Sequence, residues 1–391
     1  MKCPFDLKNK KQVIEFEEVD PYNPQNVLKG YINRRQGHLY GALYITHVNG
    51  KKCPQLIYSA PKQHYPFDKE NNWKFPECDY VELYEKLDGT CIICYTYTDN
   101  INNYITYKTR LRPFLGKSKF GNFFTLWNEM LVKHPKIKQL QEEYPHYVFV
   151  FELYGKRNKI LIDYDVPLET KLIFGINERG FIYSPKSLQG VHSFNDKTVA
   201  VIEAGINLEE IPVLNLCDIA QEFDGNEIHY IDKQNELESA LEIDEENKIM
   251  KGKEGLVWYF IKDDCAVQIK CKPPSVLKYH WAGDAIPYES VYTTVINAFE
   301  NFDEPTYEDV VSLLKEEYDD DFIEKSRVRI EKALGKVLFD RKYQYKLAED
   351  YKKHGFDINK DKVTCMRWFG QNYPRSEAKR IFRLLKQYEE Q

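Results

Sequence analysis

Between residues 41 and 272 the chain is written in short apolar runs with a two-residue rhythm: "GALYITHV", "YVELYEKL", "TCIICYTY", "NYITYKTR", "YVFVFEL", "KLIFGI", "FIYSP", "EGLVWYFI" and "AVQIKCK". Asn, Gly, Pro and Asp separate them, and the pattern predicts a series of β-strands. One stretch departs from this rhythm. In "GNFFTLWNEMLVKH", Phe123, Leu126, Trp127, Met130 and Leu131 recur at steps of three and four, the spacing of an amphipathic helix. After Pro273-Pro274 the strands thin out and helical patterns take over. "TYEDVVSLLKEEY" starts from an N-cap at Thr306, "DDFIEKSRVRIEKALGKVLFDRKYQYKLAEDYKKHG" reads as one long helix stopped by Gly355, and "RSEAKRIFRLLKQYEEQ" starts from Ser376. The pattern therefore predicts an α+β domain over residues 1–275 and an all-α domain over 276–391.

Composition adds limits. The 391 residues, 42% hydrophobic and 30% charged, are those of an ordinary globular protein with a sizeable core. No run approaches the roughly 18 to 20 apolar residues of a membrane span, and the start "MKCPFDLKNKKQVIEFEE" has no signal-peptide segment, so a cytoplasmic protein without a membrane partner is expected. The nine scattered cysteines point to reduced thiols, and Cys91 and Cys94 read as strand residues of "CIICY". A formal net charge of -6 excludes coating of nucleic acid by bulk charge. Residues 341–386 nevertheless hold thirteen Lys and Arg against five Asp and Glu. Lys342, Lys346, Lys352, Lys353, Arg367, Arg375, Lys379, Arg380 and Arg383 stand there among Tyr and Trp, a composition suited to phosphates and bases.

The candidate chemistry lies in the first domain. In "YEKLDGTCIICY", a continuous strand would put Lys86 and Asp88 on one face with Leu87 in the core, while Gly89 permits close approach of a ligand or backbone. "AVQIKCK" sets Gln268, Lys270 and Lys272 on one face, and two lysines there suit a phosphate. Glu152 in "YVFVFELYG" and Glu254 in "KGKEGLVWYF" interrupt apolar runs. A carboxylate so placed needs a partner such as a lysine, a metal or a ligand hydroxyl.

Lys-x-Asp-Gly at 86–89, "FELYG" at 151–155, "LIFGI" at 172–176, "EGLVWY" at 254–259 and "KCK" at 270–272 resemble, in sequence and order, the motifs of the covalent nucleotidyltransferases: ATP-dependent DNA and RNA ligases and mRNA capping enzymes. "FELYGKRNKILIDY" and "LIYSAPKQHYPF" are most similar to the phage-type RNA ligases. The resemblance implies a ligase adenylation domain built on antiparallel sheets, followed by the helical domain. It implies ATP and Mg2+ or Mn2+ as cofactors, and Lys86 as the nucleophile that carries AMP.

The same resemblance assigns Asp88 to the ribose and the later steps, and Lys270 and Lys272 to the α-phosphate. Glu152 would hold the ribose or the metal, and Glu254 the metal. Glu85, Arg110 (with Arg112 as the alternative) and Phe174 (with Ile173 or Ile176) would complete the nucleotide pocket, Phe174 by stacking on adenine. The implied partners are RNA 3′-hydroxyl and 5′-phosphate ends, such as those of cleaved tRNA, together with a separate end-healing kinase or phosphatase. A DNA ligase, a GTP-dependent capping enzyme and a non-catalytic RNA-binding protein are the competing readings. The first two normally continue into an OB-fold, where this chain turns helical.

Overall fold

A computed structural model describes residues 2–389 except positions 10, 11, 36, 68–71, 119, 120, 195, 196, 201–204, 221–226, 245–248, 281–285, 287, 303, 316, 317, 319, 375 and 376. The basic residue Arg375 and the expected helix start at Ser376 lie outside the described residues. The chain divides into two compact units, Met1–Ala282 and Gly283–Gln391. The first extends past residue 275, because the helix Pro274–His280 belongs to it. There Val276 is fully buried against Ile162 and Met250, and the Ser275 N–H donates to Glu238.

The first unit begins with a four-stranded antiparallel meander: β1 Val13–Val19, β2 Val27–Asn33, β3 Leu43–Val48 and β4 Lys51–Ile57. Only β3 was legible in the strand pattern. Glutamates crowd β1, and β4 carries Pro54, which an edge strand tolerates because it need not donate on both sides.

Two further sheets follow, one of four strands and one of five. One contains β5 Tyr80–Lys86, β11 Leu216–Ala220, β12 Gly255–Lys262 and β13 Cys265–Cys271, in the order β11-β5-β12-β13. The other contains β6 Gly89–Thr98, β7 Asn103–Thr109, β8 Val148–Tyr154, β9 Glu169–Ile176 and β10 Ile182–Tyr183, in the order β10-β9-β8-β6-β7. All their named pairings are antiparallel.

The sheets share a core in which Tyr84, Val257 and Tyr259 of the first meet Ile93, Tyr95, Val150 and Phe174 of the second. Both therefore bury apolar residues on two faces, which is why β5 and β12 read as nearly continuous apolar runs. The outer face of the second sheet is covered by α1 Phe123–Lys133 and α2 Lys136–Glu143. As the three- and four-residue spacing predicted, α1 buries Phe123, Leu126, Trp127 and Met130, and Asn122 caps it by accepting from the Phe124 N–H. The outer face of the first sheet is covered by α3 Glu227–Ser239 and an aromatic group in which Tyr230 meets Trp258, Phe67 and Trp73.

The second unit is helical throughout its named elements. Thr306 caps its helix as expected, exchanging hydrogen bonds with Asp309 in a capping box. The long helix expected after residue 319 is two, Asp320–Lys325 and Arg327–Lys353. At the break, the buried Ser326 hydroxyl donates to Phe322 O and accepts from the Ile286 N–H. Gly355 ends the second helix with φ +63°, where glycine is favoured. Among the described residues no helix is long and apolar enough to cross a membrane.

Candidate active site

The site is built from the ends of strands in both large sheets. Register fixes its floor. Lys86, the last residue of β5, lies opposite Gly255 of β12; Tyr84 lies opposite Val257, which lies opposite Lys270 of β13. Leu256 pairs with Cys271, so Gly255 has Lys272 on its other flank. A β-carbon on Gly255 would stand 2.2 Å from the Cys271 carbonyl oxygen, so this position admits no side chain. The bare backbone leaves a gap between two lysines, and the Glu254 carboxylate fills it. Oε2 accepts from Lys86 Nζ at 2.7 Å and Oε1 pairs with Lys272 Nζ at 2.6 Å. The carboxylate side chain is 3% exposed, against 21% for Lys86 and 12% for Lys272.

This arrangement sets the lysine charges. Burial pulls the Lys86 ammonium down, but Glu254, Glu152 and Asp88 outweigh it, and its pKa is raised. Lys272 is lowered, by burial first and by Lys86 beside it, although Glu254 opposes the change. The neighbouring lysines therefore do not by themselves poise Lys86 as a neutral amine, because the Glu254 carboxylate sits between Lys86 and Lys272. Lys270 lies on the same sheet face with its ammonium 4.1 Å from the Tyr65 ring centroid. The segment around Tyr65 runs beside β13, where the Lys270 N–H donates to His64 O at 3.0 Å.

Glu152 enters from the second sheet. Its strand neighbours Val150 and Tyr154 belong to the core between the sheets, so Glu152 faces the same space, opposite Cys91. Burial raises its carboxyl to about 8; Glu254 and Asp88 add to the shift, and Lys86 and Arg110 oppose it. Its carboxylate has no hydrogen-bond partner among the described residues. Arg110 acts on both Glu152 and Cys91, and its buried Nε has no partner among the described residues. Arg112 instead turns back to its own loop beside Gly116. Geometry thus favours Arg110 over Arg112.

Two expected site residues point away from the lysines, and a third, Asp88, lies near them but is held differently from expectation. Asp88 is not on a strand face with Lys86, because the chain changes sheets between Lys86 and Gly89. Its carboxylate is 2% exposed and accepts from the Leu161 and Ile162 N–H groups at 2.5 and 2.7 Å, while its own N–H donates to the Tyr164 hydroxyl at 2.8 Å. Burial first, then Glu254, raises its carboxyl despite these bonds. Asp88 therefore braces the loop after β8. Phe174 is 2% exposed in the core, a position that offers no open face for stacking; a bulge at Ile173 turns it inward. Glu85 alternates to the opposite face of β5 from Lys86.

Two further residues hold the site's frame. Asn158, fully buried, donates to Leu153 O at 2.6 Å and accepts from the Thr90 hydroxyl. The buried Lys108 ammonium donates to the carbonyls of Gly41 and Arg110 and to Ser59 Oγ, fixing the backbone that carries Arg110. Asn158 lies in the "FELYGKRNKILIDY" stretch singled out above, whereas the only sequence signal for Lys108 was a polar residue within an apolar run.

No group of three or more His, Cys, Asp or Glu able to hold a metal occurs among the described residues. The donor set nevertheless suits a hard cation that shares its oxygens with phosphate and water, Glu152 being the carboxylate with unused oxygens.

No protein-family model matches the chain, and no curated protein matches it. Among solved structures it is similar to an archaeal ATP-dependent RNA ligase, with 14% identity, 89% of this chain and 83% of that chain covered, and a TM-score of 0.43. It is also similar to a putative ATP-dependent DNA ligase from Aquifex aeolicus (11% identity, 94% and 86% covered, TM-score 0.41) and to Naegleria gruberi RNA ligase with pyrophosphate (9%, 70% and 98%, 0.34). The likeness at this level adds no residue to the site, which stands on its own geometry.

Proposed function

We propose that the first unit is an ATP-dependent RNA ligase that joins 3′-hydroxyl and 5′-phosphate ends. One observation carries the reading. Lys86, Glu152, Glu254 and Lys272 come from motifs far apart in the chain, yet their charged groups act on one another at one end of the space between two sheets.

Lys86 is the nucleophile. Its amine attacks the α-phosphorus of ATP, the bond to pyrophosphate breaks, and AMP remains on Nζ as a phosphoramidate while the lysine proton leaves. AMP then passes to an RNA 5′-phosphate. Attack by a 3′-hydroxyl on that activated phosphate forms the phosphodiester and releases AMP.

An ordinary lysine has a pKa near 10.4, so poising it neutral at pH 7 requires about 4 to 5 kcal/mol. Glu254 works against this while it grips Lys86. Whatever draws Glu254 away removes the largest charge that holds Lys86 protonated, leaving burial and Lys272 to favour the free amine against Glu152 and Asp88. Lys272 and Lys270 supply positive charge for the α-phosphate oxygens. Glu152 and Glu254 are the residues that would hold Mg2+ or Mn2+, which when bound neutralises the triphosphate and orients the leaving group. Asp88 acts through the loop it braces.

Resemblance to phage-type enzymes at "FELYGKRNKILIDY", and a helical second unit in place of an OB-fold, support RNA over DNA. Cleaved tRNA is a substrate consistent with the locally basic second unit, and ends left by nucleases would need a separate healing kinase or phosphatase. The test is a sealing assay on nicked DNA, nicked RNA and a cleaved stem-loop RNA. Sealing of an RNA substrate supports the reading, whereas sealing of DNA alone overturns it.

A further inference from the structure

A second cleft lies between the β6–β7 hairpin and helices α1 and α2, with a volume of about 390 Å3. It is on the other face of its sheet from Glu152 and toward the far end of β6, so it is distinct from the lysine site. Its polar groups are unusually under-used. Gln141 is fully buried, and its Nε2 donates to Tyr147 O at 2.8 Å and to Thr96 Oγ1 at 3.0 Å. A carbonyl oxygen can only accept, so the amide orientation is fixed and Oε1 is left as a buried acceptor without a partner among the described residues. The buried hydroxyls of Tyr22 and Tyr107 are likewise unmatched there, apart from the Cys94 thiol beside Tyr107.

Buried polar atoms without partners are costly and rare, and several on one cleft point to something that satisfies them. The volume falls in the lower range of small-molecule sites and far exceeds one water. The charged lining residues, Lys138 and Glu142, pair at 3.6 Å and cancel, so the cleft is not built for a phosphate or carboxylate. Tyr22, Tyr104, Tyr107 and Leu131 line the cleft together with Gln141, so aromatic rings share it with one fixed acceptor and two hydroxyls. From this we infer that the cleft binds a nucleobase, a neutral flat ring whose N–H donates to Gln141 Oε1 and whose other polar edge meets the tyrosine hydroxyls. A free nucleoside or a base of an RNA strand presents that chemistry equally.

The experiment measures binding of adenosine, cytidine, guanosine and uridine, and of short oligoribonucleotides, to the full chain by ligand-observed NMR and calorimetry. Tyr107→Phe removes one hydroxyl without removing a required bond, so folding survives; Gln141→Met is the second variant. At least one nucleoside is expected to bind wild type and Lys86→Ala equally and Tyr107→Phe about tenfold more weakly. Adenylate formation on Lys86 is expected to be unchanged in Tyr107→Phe. If oligonucleotides share the Tyr107 dependence the source is RNA, and if only nucleosides do it is a small molecule; both outcomes support the site. Binding by every probe that is absent or indifferent to Tyr107→Phe, or crystals soaked in each of the four nucleosides with only water in the cleft every time, overturns it.

Discussion

Glu254→Gln isolates the electrostatics of the proposed reaction centre. The carboxylate joins Lys86 and Lys272 at 2.7 and 2.6 Å and is 3% exposed. Removing one partner of a buried ion pair costs about 3 to 5 kcal/mol, because the remaining charges stay buried. Here both lysines keep some solvent and can also lose protons, which places the expected loss near the lower end, about 3 kcal/mol at pH 7. For a unit of this size that lowers Tm by roughly 5 to 10 °C. The pH dependence follows from the directions of the shifts. In wild type the raised Lys86 pKa contributes stability that is full below the ordinary lysine value of 10.5 and lost as pH rises through the higher folded value. Without the carboxylate the largest charge holding Lys86 up is gone, leaving Glu152 and Asp88 against burial, and Lys272, already below its ordinary value, falls further. The unfolded chain then binds more protons, and the variant regains stability as pH rises from 7 toward 10. Thermal unfolding at pH 7, 8.5 and 9.5 without nucleotide reads this directly. A variant as stable as wild type at pH 7, or a Tm gap that stays constant or widens with pH, would refute the reasoning.

Three further outcomes are expected. Asp88→Asn, which can still accept from Leu161 and Ile162, should keep most of the stability, while Asp88→Ala should lose about 2 to 4 kcal/mol in denaturant unfolding; equal stabilities would remove its bracing role. For Glu152, a carboxyl raised to about 8 means the native state binds the extra proton, so wild type loses stability as pH rises from 4.5 through 8. Glu152→Gln should therefore gain on wild type over that window, by on the order of 2 kcal/mol after allowing for solvent, and a gap independent of pH contradicts the assignment. Gly255→Ala, whose β-carbon would meet the Cys271 carbonyl at 2.2 Å, should part β12 from β13 and abolish adenylation; an active, equally stable variant would show that the gap between the lysines is not needed.

The site residues that the sequence pattern located best are those on uninterrupted strands. Alternation put Lys270 of β13 and Lys272, just past its end, on the side that faces Lys86, because no turn intervenes. It failed at Asp88, where the same alternation was carried across a change of sheet; Phe174, assigned by resemblance, lies in the core beyond a bulge at Ile173. Arg110 and Arg112 are two residues apart and chemically identical, so only the fold of the loop beside Gly116 separates them. The break at Ser326 was hidden for a similar reason. There Ser326 accepts from the distant Ile286 N–H, and no local propensity encodes that contact. Strands β1 and β4 were masked by glutamates and by a proline that an edge position tolerates.

The central claim is that Lys86 carries AMP. Incubating the protein with α-labelled ATP and Mg2+, denaturing it and mapping the label by peptide mass should give one acid-labile adduct on Lys86, absent in Lys86→Ala. No adduct with ATP, or an equal adduct in Lys86→Ala, would contradict the claim.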